Sequence, residues 1–314
     1  MRNVLITGAN GFIGSAIAGA LFKNYETKIV AMLFDKHATE LPQADHLIYG
    51  DVRDSSLMRR VISDYEVTDV YHMAAQSIVS TCANDPVTAY DINVMGTVSI
   101  LEACRIAGKN TVESVVVSTS DKAYGHSVPP YNEDTAMLPM FTYETSKTCQ
   151  DLITRSYFHN YGVPAKVARC SNVYGPGDSN LSRLIPKSIH RIALGSAPVL
   201  YNGVHEFVRE FVYIDDVVSA FECISKDGLG GEAYCVGGSG HYKILDVIEM
   251  ILDIMGSDLK PEIVQKNSNF KEISKQWIDA AKLKGIGWVP AVAIMAGLRE
   301  CVKYYASEKE IIDE

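Results

Sequence analysis

Along the first half of the chain, short and nearly unbroken apolar runs alternate with longer stretches whose apolar positions recur at helical spacing. The runs are NVLITG (3–8), KIVAML (28–33), LIYGDV (47–52), DVYHMAA (69–75), SVVVSTS (114–120) and AKVARCSNVYG (165–175). An apolar run without polar alternation, bounded by turn residues, predicts a strand buried on both faces. The stretches between them, GSAIAGALFK (14–23), SSLMRRVISDY (55–65), VTAYDINVMGTVSILEACRIAG (87–108) and TYETSKTCQDLITRSYFHNYG (142–162), predict helices. This alternation predicts an α/β fold, a doubly wound parallel sheet covered by helices on both sides.

Past Gly175 the pattern loosens. A Gly/Pro-rich turn, YGPGD (174–178), precedes a helix in SRLIPKSIHRIALG (182–195), with Pro186 near its start. A strand pair is expected within PVLYNGVHEFVREFVYI (198–214). DDVVSAFECISK (215–226) and a Gly-rich turn follow, then a helix in YKILDVIEMILDIMG (242–256). The division expected is a dinucleotide-type domain over 1–175 and a smaller, mostly C-terminal domain over 176–314, interleaved with the first. The charged tail ASEKEIIDE (306–314) is expected to fray.

Composition narrows the function classes. The 314 residues are 47% hydrophobic and 21% charged, with a net charge of −9, which leaves no basic surplus for nucleic acid. Seven cysteines, odd in number and never spaced CxxC, suit a reducing compartment and offer no zinc or redox motif. The chain opens in a strand, MRNVLITG, which predicts no secretory leader. No apolar run reaches membrane-spanning length. A soluble cytoplasmic protein without a metal site is expected.

The first chemistry appears between the first strand and its helix. ITGANGFIG places Gly8, Gly11 and Gly14 there, in a G-x-x-G-x-x-G spacing that departs from the G-x-G-x-x-G fingerprint. The physics is shared: glycines permit a tight turn, and a helix N-terminus offers free N–H groups to a pyrophosphate. Phe12 and Ile13 belong to the same loop. Rossmann-type dinucleotide binding is therefore expected. An acid at the end of the second strand would take the ribose hydroxyls of NAD. Asp35 could do so, whereas Lys36 and His37 would suit the 2′-phosphate of NADP, and the balance is toward NAD. Asp51 and Val52, ending the third strand, are placed to meet the adenine. Ala74, Ala75 and Ser118 are assigned to the cofactor as well.

A second set of polar residues ends the fifth strand, Ser118-Thr119-Ser120-Asp121-Lys122, and a third is the pair Tyr143 and Lys147, one helical turn apart. Together with TGANGFIG (7–14), GDVRD (50–54), HMAAQSIV (72–79), NVMGT (93–97), YETSK (143–147), NVYGPGD (172–178) and REFVYIDD (209–216), these strings resemble the extended short-chain dehydrogenase/reductases. Within them, the chain resembles the nucleotide-sugar epimerases and dehydratases over nearly its whole length. Ser-Asp-Lys at 120–122 resembles CDP-glucose 4,6-dehydratases and inverting UDP-N-acetylglucosamine 4,6-dehydratases. PMFTYETSK differs from the DPYSSSK-like run of the former, so sugar and base stay unassigned.

The resemblance implies a tightly bound NAD, with NADP as the alternative, and a nucleoside-diphosphate sugar as substrate. Tyr143 would remove the proton of the sugar's 4-hydroxyl as hydride leaves carbon 4. Lys147 would hold the nicotinamide ribose and lower the pKa of Tyr143, and Ser120 would hydrogen-bond the 4-oxygen. An epimerase needs no further acid or base. A 4,6-dehydratase needs an acid for the carbon 6 hydroxyl, implied to be Asp121, and a base at carbon 5, implied to be Lys122 with a depressed pKa. The main expectation is a 4,6-dehydratase; a 4-epimerase is the alternative, and a non-catalytic dinucleotide-binding regulator the remote one. Asn172, Arg183 and Arg209 would hold the diphosphate, with Gln76 and Ser77 facing the sugar. His72 reads as a satisfied core histidine and Asn93 as a tie between strand and helix. Tyr124 and Tyr174 suit pocket lining or packing equally. Helices 87–108 and 142–162 would pair across a twofold axis into a four-helix bundle, giving a homodimer.

Overall fold

The computed structural model describes residues 2–35, 41–108, 111–265 and 273–306. The chain begins with β1 (Arg2–Thr7), α1 (Phe12–Leu21), β2 (Thr27–Leu33), β3 (His46–Tyr49), α2 (Ser55–Asp64) and β4 (Asp69–His72). Helices α3 (Val79–Asn84) and α4 (Pro86–Tyr90), a π-helical turn (Asp91–Met95) and α5 (Gly96–Ala107) lead to β5 (Ser114–Ser120). A 3-10 turn (Asp121–Tyr124) then precedes α6 (Thr142–Tyr161), β6 (Ala165–Cys170) and β7 (Asn172–Tyr174). The rest comprises α7 (Leu184–Ala193), β8 (Val199–Tyr201), β9 (Val208–Tyr213), α8 (Ile214–Asp227), β10 (Ala233–Val236) and β11 (His241–Lys243). It ends with α9 (Ile244–Met255), β12 (Glu262–Val264), β13 (Lys275–Gln276), α10 (Ala281–Gly285) and α11 (Ile294–Tyr305).

Seven parallel strands form the main sheet in the order β10-β6-β5-β4-β1-β2-β3. Alternation along each strand explains the apolar runs. In β1, Val4 and Ile6 join the core under α1 and α8, while Leu5 joins the core on the other face with Met58 and Ile100 of α2 and α5. The fold is the Rossmann-type doubly wound sheet that the sequence predicts. A smaller sheet is built on β9 with β7, β11 and β13, and β8 and β12 form a separate two-stranded sheet. The core around β9 is Ile189, Phe211, Ile248 and Leu298, contributed by α7, β9, α9 and α11.

The differences from the sequence reading sit at element ends. The third strand stops at Tyr49, because Asp51 accepts a hydrogen bond from the Arg53 N–H and turns the chain. The sixth run divides at Ser171: β6 stays in the main sheet, whereas β7 pairs with β9 in the smaller one. The predicted helix over 87–108 is α4, the π turn and α5 in succession, and α3 precedes it unforeseen. The strand pair expected within 198–214 is not formed. A helical turn at Val204–Glu206 separates β8 from β9; β8 pairs with β12 instead. After Ala306 the tail lies outside the described residues. Among the described residues no helix is long and apolar enough to cross a membrane.

Candidate active site

A cavity of about 820 Å³ opens over the carboxyl ends of β1, β2, β4, β5 and β6, and the smaller sheet closes its far side through Asn172, Arg209 and Phe211. Doubly wound sheets bind their ligands at this edge. Of the site residues predicted from sequence, all but one line this cavity.

Gly8 and Gly14 shape its floor. Gly8 has φ +65°, and a Cβ there would lie 2.8 Å from the Ala74 nitrogen, so only glycine lets the end of β1 approach the loop after β4. A Cβ on Gly14 would meet the Gly8 carbonyl oxygen at 2.3 Å, so α1 could not seat on the turn. The first turn of α1 faces the cavity through Phe12 and Ile13 and has no side-chain cap. Its N–H groups and positive dipole end suit a pyrophosphate.

The exception is Asp35. Strand β2 ends at Leu33, Phe34 takes the lining position, and Asp35 is exposed outside the lining. Lys36 and His37, the residues read as suited to a 2′-phosphate, lie outside the described residues. Asp51 does line the cavity, but the Arg53 guanidinium donates to both its oxygens at 2.6–3.0 Å and holds its carboxyl below the usual range.

The reactive groups converge at the end of β5. Ser120 caps the 3-10 turn by accepting from the Lys122 N–H at 3.2 Å, and its hydroxyl donates to Oδ1 of Asp121 at 3.1 Å. Asp121 is 2% exposed, and its Oδ2 has no hydrogen-bond partner among the described residues. Burial pushes its carboxyl up to about 6, against the pull of the Lys122 charge. From α6, Lys147 donates to the Ser118 carbonyl at 3.2 Å, and burial draws it down to about 8. Its Nζ lies 5.9 Å from the centre of the Tyr143 ring. Burial drives the phenol upward, while a hydrogen bond with Ser120 and the charge of Arg183 oppose it.

A family model described as GDP-mannose 4,6 dehydratase matches residues 5–301. The chain belongs to this family. It is thus an extended short-chain dehydrogenase/reductase of the nucleotide-sugar dehydratase and epimerase group. The dTDP-glucose 4,6-dehydratase of Salmonella typhimurium is 29% identical over 99% of this chain and 94% of its own length. The UDP-glucose 4-epimerase of Thermotoga maritima, solved with UDP-glucose, superposes with a TM-score of 0.90 at 25% identity, covering 98% of this chain and all of its own. The dTDP-glucose 4,6-dehydratase of Bacillus anthracis, solved with NAD, gives 0.86 at 28% identity, covering 98% of each chain.

The residues expected to face a substrate are tied together by hydrogen bonds. Asn172 Nδ2 donates to the Glu210 carbonyl at 2.9 Å, and Arg183 pairs with Asp178 at 2.8 Å. Arg209, largely buried, donates to the Val208 and Ile273 carbonyls while lining the cavity. Gln76 is fixed through its backbone: its N–H donates to Asn93 Oδ1 at 2.7 Å, and its carbonyl accepts from Asn93 Nδ2 at 3.1 Å. Asn93 also donates to Ser146 Oγ at 2.9 Å, so it ties the β4 loop to α6. Its seat in the π turn places it there. His72 is satisfied by Thr7 and Thr97, and burial takes it down to about 3. Tyr174 lines the cavity; Tyr124 is wholly packed, its hydroxyl donating to the Asn132 carbonyl at 2.7 Å.

Three features had no readable signal in the sequence. Arg169 and Asp151 form a fully buried ion pair at 2.7 Å. Glu210 is buried behind Arg209, and that burial raises its carboxyl to about 8. The amide of Gln276, paired in register with Arg209, is buried with neither atom hydrogen-bonded among the described residues. Such signals are long-range, because each depends on which elements the tertiary fold brings together.

Proposed function

We propose that this chain is an NAD(P)-dependent enzyme acting on a nucleoside-diphosphate sugar, and that the reaction is 4,6-dehydration to a 4-keto-6-deoxy sugar. The glycine loop, Ala74, Ala75 and Ser118 would hold the dinucleotide, with Lys147 on its nicotinamide ribose. When bound, the nicotinamide would supply the hydride chemistry, as acceptor from carbon 4 of the sugar and donor at carbon 6. Tyr143 takes the proton of the 4-hydroxyl, and Ser120 donates to the oxygen left behind. The positive charge of an oxidised nicotinamide would offset the burial that holds Tyr143 protonated.

The observation that carries dehydration is Asp121: a buried carboxyl in the cavity, one oxygen without a hydrogen-bond partner among the described residues, raised to about 6 so that a protonated fraction persists toward neutral pH. Asp121 gives its proton to the carbon 6 hydroxyl, which leaves as water. Lys122, as the neutral amine, takes the carbon 5 proton and gives it back when hydride returns to carbon 6. Asn172, Arg183 and Arg209 hold the diphosphate, and Gln76 and Ser77 face the sugar. Two copies are proposed to pair through the helices spanning 87–108 and 142–162.

The second reading is 4-epimerisation, which the higher TM-score of the Thermotoga maritima epimerase favours. It gives Asp121 no work. Mass spectrometry of product formed in deuterated water from CDP-, UDP-, GDP- and dTDP-sugars separates the two. Dehydration gives a product lighter by one water with deuterium at carbon 5. An unchanged mass with a new carbon 4 isomer would establish the epimerase.

A further inference from the structure

At one end of the cavity the chain presents an aromatic ring where the sheet geometry calls for a carboxylate. The glycine loop at β1 marks the pyrophosphate position, and Tyr143 and Lys147 lie to the β5 side of it. The adenosine half of a dinucleotide therefore lies to the other side, over the ends of β2 and β3. The first residue past β2 is Phe34. It lines the cavity and is nevertheless 72% exposed, beside Gly50, Asp51 and Val52 at the end of β3. A large ring left bare inside a concave site is apolar surface that a ligand can cover.

We propose that Phe34 is the adenosine-recognition residue: its ring packs on the adenine, and by holding the end of β2 it leaves the 2′ position without a free carboxylate among the described residues. NAD and NADP then bind with similar affinity. This rests on the nicotinamide-dinucleotide reading above. Two acids could contradict it, and neither is placed to do so. Asp35 is exposed outside the lining. Asp51 is clamped by Arg53, so its carboxylate is already paired and is not free to take the ribose hydroxyls.

The test is isothermal titration of full-length, nucleotide-free protein with NAD and NADP. Wild type should bind the two within about tenfold of each other. Phe34→Ala should weaken both by about tenfold, the scale of one base–aromatic stack, with unchanged melting temperature because the ring packs on little else. Phe34→Tyr should restore binding. Phe34→Asp should shift the ratio toward NAD by at least about tenfold, through repulsion of the 2′-phosphate. Wild-type affinities for both cofactors in Phe34→Ala, or an unshifted ratio in Phe34→Asp, would overturn the inference and leave the enzyme reading intact. Binding of neither dinucleotide by wild type would overturn both.

Discussion

Two buried acids lie near the carboxyl ends of neighbouring strands and have opposite surroundings. Asp151, fully buried on α6, receives both Nε and a terminal nitrogen of Arg169, which is itself 1% exposed. The remaining guanidinium nitrogen donates to the Tyr124 hydroxyl at 2.8 Å and the Glu133 carbonyl at 3.1 Å. Asp121 is as deeply buried, yet one of its oxygens has no hydrogen-bond partner among the described residues and its carboxyl is raised to about 6. Burial alone therefore does not mark a functional group. A buried charge whose valences are filled is architecture, and one left open toward a cavity is available for chemistry. The two are also connected. Tyr124 ends the turn that carries Asp121 and Lys122, so the closed pair holds the open one in place.

The largest test removes the closed pair. Asp151→Ala should cost about 3–5 kcal/mol in denaturant unfolding, because Arg169 is left buried without its counter-charge. Replacing both partners together, as Asp151→Leu with Arg169→Met, should recover much of that loss. If the single variant unfolded like wild type, the architectural role would be wrong. Asp121→Asn should do the opposite: water loss slows by about 10²–10⁴-fold, while the melting temperature at pH 7.5 rises by a few degrees. Lys122→Ala should likewise abolish dehydration and keep the dinucleotide bound. A lower melting temperature in Asp121→Asn would mean its carboxylate is satisfied after all.

The smallest effect is in the pH profile. A carboxyl raised on folding holds a proton that the unfolded chain has released, so stability falls as pH rises from the unfolded value toward the folded one. For Asp121 that window closes near pH 6 and for Glu210 near pH 8. His72, lowered to about 3, acts in reverse and removes stability as pH falls below its ordinary value. Denaturation midpoints of Asp121→Asn and Glu210→Gln should fall less steeply than wild type between about pH 5 and 8. The rate of water loss should decline above pH 6 if Asp121 is the acid.

The open site was far more legible in the sequence than the closed pair. Strands β1, β2 and β5 were visible as apolar runs because the main sheet buries both faces, and their polar ends name the cavity lining. Ser120, Asp121, Tyr143 and Lys147 each follow from a local pattern. Arg169 does not: in an apolar strand it reads as an intrusion, and its partner Asp151 lies on a helix that only the tertiary fold brings near. The same limit applies to β8, whose partner is β12 rather than its neighbour in sequence, and to Ser171, where one run serves two sheets. Phe34 takes the lining position and Asp35, one residue on, lies outside it, since a strand's end decides which side chain reaches the cavity.

The seventh strand has a consequence for how the protein is made. Strand β10 lies beside β6 at the rim of the main sheet, and the Val236 carbonyl accepts the Ser171 N–H. A ribosome that has delivered residues 1–175 has made six of the seven strands, yet Ala165–Cys170 still lacks its outer neighbour. Such an open edge invites pairing with other chains. Strands β7 and β9 of the smaller sheet are made between the two events, so the order of synthesis is not the order of closure. A nascent chain stalled after Gly175 would leave the tunnel with its sheet unfinished and its edge a template for any strand nearby.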